Sequence, residues 1–366
     1  MLEAARMRGW TVVACGALAS VLVVGCARTN AAGVEDARAE LFGLMWDVTA
    51  SDGYRYQLTD DRGEPMGPME VIQIADSVYA AVYHWSPQSG PSFKVAVATS
   101  NNLLDWTWQT DLAEYASQPT IKEAEDGGFV VAWEQEPETQ DQSWVRLAYY
   151  PNWDALVGAE PSKVFDAARQ LSDCAEGTPN IYTASSTHVE FGFHFYAGCE
   201  TDRQARGTTD WVTWEAENAA LLDRAVLFQG YAGSIGDRAV IDFKGHQFTF
   251  LEASFILNDW SSFRVLVYDE GTGAADRTQF GVDANTVAIP ETWSGPQPGP
   301  PAEPPSEHVF IRTHQASFSI SNMSLSLVTL GGRQALVVTL FIQQPGLGGD
   351  ETGELVYYRF VDQPST

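Results

Sequence analysis

Cationic residues are scarce in this chain: 21 Lys and Arg stand against 48 Asp and Glu among 366 residues, for a formal net charge of −27. A surface of that sign repels phosphate backbones, so nucleic acid is excluded as a partner. Cysteine is scarcer still, at 4. No CxxC pair accompanies the cysteines and the 6 histidines are scattered, so neither a metal site nor a cofactor is expected. His194, inside Phe-His-Phe, reads as an interior side chain rather than a ligand. The glycine-rich stretch Gly230-Tyr231-Ala232-Gly233-Ser234-Ile235-Gly236 precedes a strand-like run, not a helix, and therefore makes no phosphate cradle. A nucleophilic Ser/His/Asp arrangement and a convincing helical periodicity are both missing.

A long apolar run is also missing, except near the N-terminus. Arg6 and Arg8 precede an apolar run from Trp10 to Val24, which has the length of an export signal's core and is too short to span a bilayer. It ends in Val23-Val24-Gly25-Cys26, which resembles the lipobox of bacterial lipoproteins. The expectation is a signal over 1–25, a lipid on Cys26, a tether over 26–40 and one domain over 41–366, exported and membrane-anchored on the extracytoplasmic side. Ordinary secretion with cleavage nearby is the alternative, and both place the mature chain outside the cytoplasm.

What is abundant is aromatic: 12 Trp, 13 Tyr and 18 Phe, a composition suited to strands. From Glu70 onward the sequence divides into modules of short strands. The first reads Glu70–Ala75, Ser77–Trp85, Phe93–Ser100 and Trp106–Leu112, and the second starts at Thr120 and ends near Lys163–Ala167. A third contains Asn180–Ala184 and His188–Gly198, a fourth runs from Arg238 to a strand at Gln279–Val287, and a fifth supplies three strands after Met323. Successive starts lie roughly 50–60 residues apart, apart from a longer last gap, a period typical of β-propellers. Leu41–Thr49 is expected to supply the fifth module's missing strand and close the ring. The long gap holds seven prolines between 290 and 305 and reads as an extended insertion, with an interdomain linker as the alternative. The fold class is therefore all-β, a five-bladed propeller closed by an N-terminal strand. An Asp-Trp pair recurs at Asp105-Trp106 and Asp210-Trp211, with a weaker echo at Trp153-Asp154, and should satisfy turn amides and pack between blades.

Cys174 and Cys199 lie equidistant from a polar reversal between Ser186 and Thr187. An antiparallel hairpin with that turn sets them opposite each other, and an oxidising compartment makes a disulfide the default.

Three features now converge: Thr99-Ser100-Asn101-Asn102-Leu103-Leu104-Asp105-Trp106, the proline-containing strand starts Gln118-Pro119-Thr120-Ile121 and Glu176-Gly177-Thr178-Pro179-Asn180-Ile181, and the apolar second strand Gly128-Phe129-Val130-Val131-Ala132-Trp133-Glu134. Together they resemble the five-bladed propellers of the glycoside hydrolase family 43 and family 32 superfamily. The resemblance implies a carbohydrate ligand or substrate at the central channel and two carboxylates flanking a glycosidic bond. It carries the general acid onto Glu176 and makes Glu70, in Pro68-Met69-Glu70, or Asp237, in Gly236-Asp237-Arg238, the second carboxylate. The second blade departs from the family pattern, with Gln118 where an acid is expected. Gln118, Asn180, Arg238 and Asn322 become candidate substrate-binding residues; an Asp237–Arg238 ion pair inside the propeller is the structural alternative. A catalytically inactive propeller that binds a glycan or another envelope ligand is the alternative function.

Overall fold

A computed structural model describes residues 33–361 apart from 35, 88–91, 139–141, 229, 255, 258–262, 270–310, 312, 315–319 and 343–350. Five antiparallel sheets stand side by side around a central channel. Blade 1 is β2 (Gly67–Ala75), β3 (Val78–Trp85), β4 (Lys94–Ser100) and β5 (Thr107–Glu114). Blade 2 is β6 (Ala116–Glu123), β7 (Phe129–Gln135), β8 (Trp144–Tyr150) and β9 (Lys163–Ala167). Blade 3 is β10 (Glu176–Ala184), β11 (Val189–Ala197), β12 (Thr201–Thr209) and β13 (Trp214–Asn218). Blade 4 shows β14 (Gly233–Phe243), β15 (His246–Ser254) and β16 (Phe263–Asp269), and the strand expected at Gln279–Val287 lies outside the described residues. Blade 5 is β17 (Ile320–Leu330), β18 (Arg333–Ile342) and β19 (Gly353–Phe360), completed on its outer edge by β1 (Gly53–Tyr56).

The closing strand is therefore N-terminal as expected, but it lies later than Leu41–Thr49. That segment instead continues a helix, α1 (residues 36–45), which also takes up the end of the expected tether. Its spacing explains the difference. Ala37, Leu41, Leu44, Met45 and Val48 recur at helical intervals, all are buried, and they pack with Phe243, Phe248 and Phe250 of blade 4 and Leu340 of blade 5. Two further helices sit between blades or strands: α2 (Trp153–Val157), started by the Asn152 side chain accepting from the Ala155 amide, and α3 (Ala220–Phe228).

The cores lie between successive sheets. Leu58, Tyr79, Ala98 and Trp106 meet Val328 and Val356 at the blade 5–blade 1 junction. Val82, Val97, Val131 and Trp133 fill the next, and Tyr149, Phe191, Phe193 and Trp211 the third. Helix α3 brings Leu222 and Val226 against Ile235 and Leu251 beside blade 4. The Asp-Trp repeat does what was expected in blade 3: Asp210 accepts the amides of Val212 and Thr213, and the Trp211 indole donates to Ser185 O. In blade 1 the amides fall to Asn102, which accepts from Leu104 and Asp105, while Asp105 pairs with Arg55.

Cys174 and Cys199 form the expected disulfide, with Cα atoms 5.7 Å apart. The hairpin register centres between Ser186 and Thr187 near its turn, where Ala184 faces Val189.

Candidate functional site

Each inner strand carries an irregularity at the channel mouth. Register slips between Gly67 and Glu70, Ser117 and Thr120, Gly177 and Asn180, Gly233 and Gly236, and Ser321 and Ser324. At four of the five the bulged residue is left-handed: Gln118, Thr178, Ser234 and Asn322 have φ between 46° and 53°. Such a conformation is costly for a residue with a Cβ and persists where its surroundings hold it. The fifth is Pro68, whose ring forbids a positive φ. The prolines at 68, 119 and 179 are tolerated because a bulge removes the ladder partner that proline cannot supply.

Neighbouring blades hold the bulges in place. The Gln118 amide donates to His84 Nδ1 of β3 at 3.1 Å, the Thr178 amide to Glu134 Oε2 of β7 at 3.2 Å, and the Asn322 amide to Glu252 Oε2 of β15 at 2.9 Å. The Ser234 amide donates to Thr201 Oγ1 at 2.9 Å. Pro68 has no amide to satisfy, and the blade 5 residue in register with His84 and Glu134 is Phe341. The pattern of acceptors thus follows the pattern of donors.

The bulges of blades 1, 2, 3 and 5 line the mouth, a cavity of about 320 Å³ including its open part, with Glu70, Gln118, Thr120, Asn180, Asn322 and Ser324 as its polar walls. The sequence reading placed four of these here: Glu70, Gln118, Asn180 and Asn322. Glu70 Oε2 accepts the Ile121 amide at 3.2 Å. Burial raises the Glu70 pKa, against the Thr120 hydroxyl, the charge of Lys122 and the Ile121 amide. Gln118 Oε1 is buried with no hydrogen-bond partner, and among the described residues no side chain or backbone group bonds the carboxamides of Asn180 and Asn322. Asn180 is only 8% exposed. Three carboxamides thus face the mouth with donors and acceptors uncommitted.

Glu176 is not among them. It precedes Gly177 as Met66 precedes Gly67, Ala116 precedes Ser117 and Ile320 precedes Ser321, and all four are buried outside the mouth. Its Oε1 accepts three amides, from Gln170 at 2.8 Å, Leu171 at 2.6 Å and Ser172 at 3.0 Å. Burial raises its pKa, and those amides with the field of Arg169 oppose the rise. The acid organises the loop before β10; the disulfide clasps the same loop.

The start of the fourth inner strand also shifts. Its left-handed residue is Ser234, so the position equivalent to Glu70 is Gly236, and Asp237 and Arg238 lie at a second bulge between Gly236 and Arg238. The side chains of Asp237 and Arg238 lie outside the described residues, as does Cys26. At the five equivalent positions the chain therefore offers Glu70, Thr120, Asn180, Gly236 and Ser324, with one carboxylate. The residues the sequence reading missed are His84, Glu134 and Glu252, which sit on second strands. Their signal would have been a polar residue at the end of an apolar second strand.

Among the described residues no group of three or more His, Cys, Asp or Glu is placed to hold a metal ion.

No protein-family model and no curated protein matches the chain. Solved structures do. A glycoside hydrolase aligns with a TM-score of 0.53 at 10% identity, over 90% of this chain and 96% of its own. An α-L-arabinofuranosidase from Fusarium graminearum, bound to an iminosugar inhibitor, gives 0.52 at 10% identity, over 86% and 99%. An exo-1,5-α-L-arabinanase from a bovine ruminal metagenomic library gives 0.51 at 12% identity, over 83% and 95%. At such identities the likeness is one of fold. The chain is a five-bladed β-propeller of the architecture found in these glycoside hydrolases.

Proposed function

We propose that the channel mouth binds a saccharide and that this propeller acts on glycans by binding rather than by two-carboxylate hydrolysis. The observation that carries the reading is the set of uncommitted carboxamides, Gln118, Asn180 and Asn322, on strained and amide-capped bulges around one cavity. Carboxamides donate and accept at once, which suits sugar hydroxyls. The fold likeness to glycosidases supports the same ligand class. Hydrolysis would need a second acid roughly 5–10 Å from Glu70. Among the described side chains the equivalent positions of the other blades hold Thr120, Asn180, Gly236 and Ser324, and Glu176 is engaged by its own loop, while the side chain of Asp237 lies outside the described residues.

Calorimetric titration with neutral oligosaccharides, alongside an aryl-glycoside screen, tests this. Binding without turnover is expected, weakened about tenfold by Asn180→Ala, the loss of one or two hydrogen bonds. Turnover by the wild type, or no binding of any saccharide, would sink it.

We further propose that the mature protein is exported and held at the membrane through a lipid on Cys26. The lipobox-like residues support this, and the Cys174–Cys199 disulfide fits an oxidising compartment. Radiolabelled palmitate should enter the wild type and not Cys26→Ala.

A further inference from the structure

The inner strands run away from the mouth. Their bulges stand at its rim, so the first turn of each blade, such as Asp76-Ser77 in blade 1 and Lys244-Gly245 in blade 4, lies at the far end. There β15 starts and β19 finishes, with His246 opposite Phe243 and Phe360 opposite Ala335. The chain enters the propeller at that same end. A Cβ on Gly33 would lie 3.7 Å from His246 Nε2, and Lys244 pairs with Glu40 of α1. Arg359 Nη1 donates to Gly43 O at 2.8 Å, and the Phe360 amide donates to Asp52 Oδ2 at 2.9 Å. From Gly33 to Asp52 the chain is therefore tied to blades 4 and 5 at the end opposite the mouth.

Only six residues, Ala27 to Ala32, separate Gly33 from Cys26. A fully extended chain advances at most about 3.6 Å per residue, so Cys26 stays within about 25 Å of Gly33. The inner strand β14, whose turn holds Lys244, has 11 residues. At about 3.3 Å per residue its mouth end stands roughly 30 Å from that turn. The tether is the shorter of the two lengths. A mouth pressed against a bilayer would leave Cys26 short of it, whereas the far end reaches with length to spare. Charge opposes the remaining arrangement, a blade laid flat on the membrane, because a chain of net charge −27 is repelled by anionic headgroups.

We propose that the propeller stands with its far end toward the lipid bilayer and its mouth turned to the aqueous side, where ligand enters away from the leaflet that holds the anchor. The inference rests on the lipidated Cys26 proposed above and adds a direction to it. Tether length, not adhesion of the propeller to lipid, sets the orientation. The face that meets the membrane is the ring of first turns, and α1 is the element that joins it to the anchor.

The test uses the full chain, lipidated and reconstituted into vesicles whose headgroups carry an acceptor dye. With the signal removed, Cys26 acylated and Cys174 bridged to Cys199, one added cysteine takes a donor dye. Asp76→Cys labels the far end of blade 1 and Ser86→Cys the mouth end of the same blade, both at exposed positions. Energy transfer from position 76 should exceed that from position 86 at least about threefold, given roughly 30 Å between the two ends of a blade. Inserting about twenty Gly and Ser residues after Ala32 should shrink that difference, since so long a tether lets the body turn over. Equal transfer from the two positions, stronger transfer from position 86, or a difference that survives the insertion would overturn the proposal and leave the lipid reading standing. Failure of the chain to float with vesicles, or flotation that Cys26→Ala does not remove, would overturn both.

Discussion

Glu176 shows how much one residue of phase decides. The Glu-Gly-Thr-Pro-Asn motif was legible, and so were the strand it opens and the disulfide beside it. Which face the glutamate takes was not, because side chains alternate along a strand and a bulge inserts an uneven count. The register places Glu176 in line with Met66, Ala116 and Ile320, a buried row in which three amides converge on its Oε1 while its Oε2 has no hydrogen-bond partner. Glu176→Ala should accordingly destabilise the fold by about 2–4 kcal/mol, the cost of orphaning buried donors, and leave saccharide affinity unchanged. Denaturant melts and titrations of the same sample check both halves. A stable Glu176→Ala protein that has lost its ligand would instead return the acid to the mouth. A Cβ on Gly177 would lie 1.9 Å from Glu134 Oε2, so a side chain there has room only if Glu134 moves. Gly177→Ala should displace the Glu134 carboxylate and weaken both stability and binding, read by the same two measurements.

At the level of elements, strands were legible throughout because alternation and turn residues repeat five times. Val78–Trp85, Lys94–Ser100 and Lys163–Ala167 stand within a residue of where they were expected. Inner strands begin several residues earlier than expected, since the prolines that read as strand breakers sit at bulges. Helix α1 was also present in the spacing of Leu41, Leu44, Met45 and Val48, but an apolar run of that length reads equally as a strand. The interblade caps could not be read at all, for they join residues of different blades. They nevertheless make a sharp prediction: Glu134→Ala strands the Thr178 amide and should cost about 1–3 kcal/mol in chemical denaturation. Phe341→Ala makes the control, because Pro68 offers no amide to strand, and its loss should track packing alone. Removing the disulfide with Cys174→Ala and Cys199→Ala should cost about 3 kcal/mol for a loop of that length. The same melts read it against the protein without added reductant.

For the whole molecule, charge sets the conditions of stability. Burial raises Asp223, which accepts the Gln204 amide beneath α3, to about 7. Glu70, Glu252 and Glu354 are shifted in the same direction. An acid whose folded pKa exceeds its unfolded one favours the folded state at low pH, and that contribution disappears as pH rises through the folded pKa. The net charge of −27 works the same way, since added ionisation adds self-repulsion. The melting temperature should therefore fall between pH 5 and pH 8, and salt should raise it most at the upper end. Calorimetric scans across that range decide the matter, and Asp223→Asn should flatten the slope near pH 7. A melting temperature that climbs with pH would contradict the assignment. The ring itself adds a constraint of time. β1 pairs with β19, Gly53 facing Tyr358, so the first strand of the chain has no ladder partner until nearly the last strand exists. A polypeptide that emerges or crosses a membrane from its N-terminus keeps the blade 5 edge open for the whole passage. Closing it is a late, long-range step, and the open edge that precedes it is exposed to strand-edge aggregation.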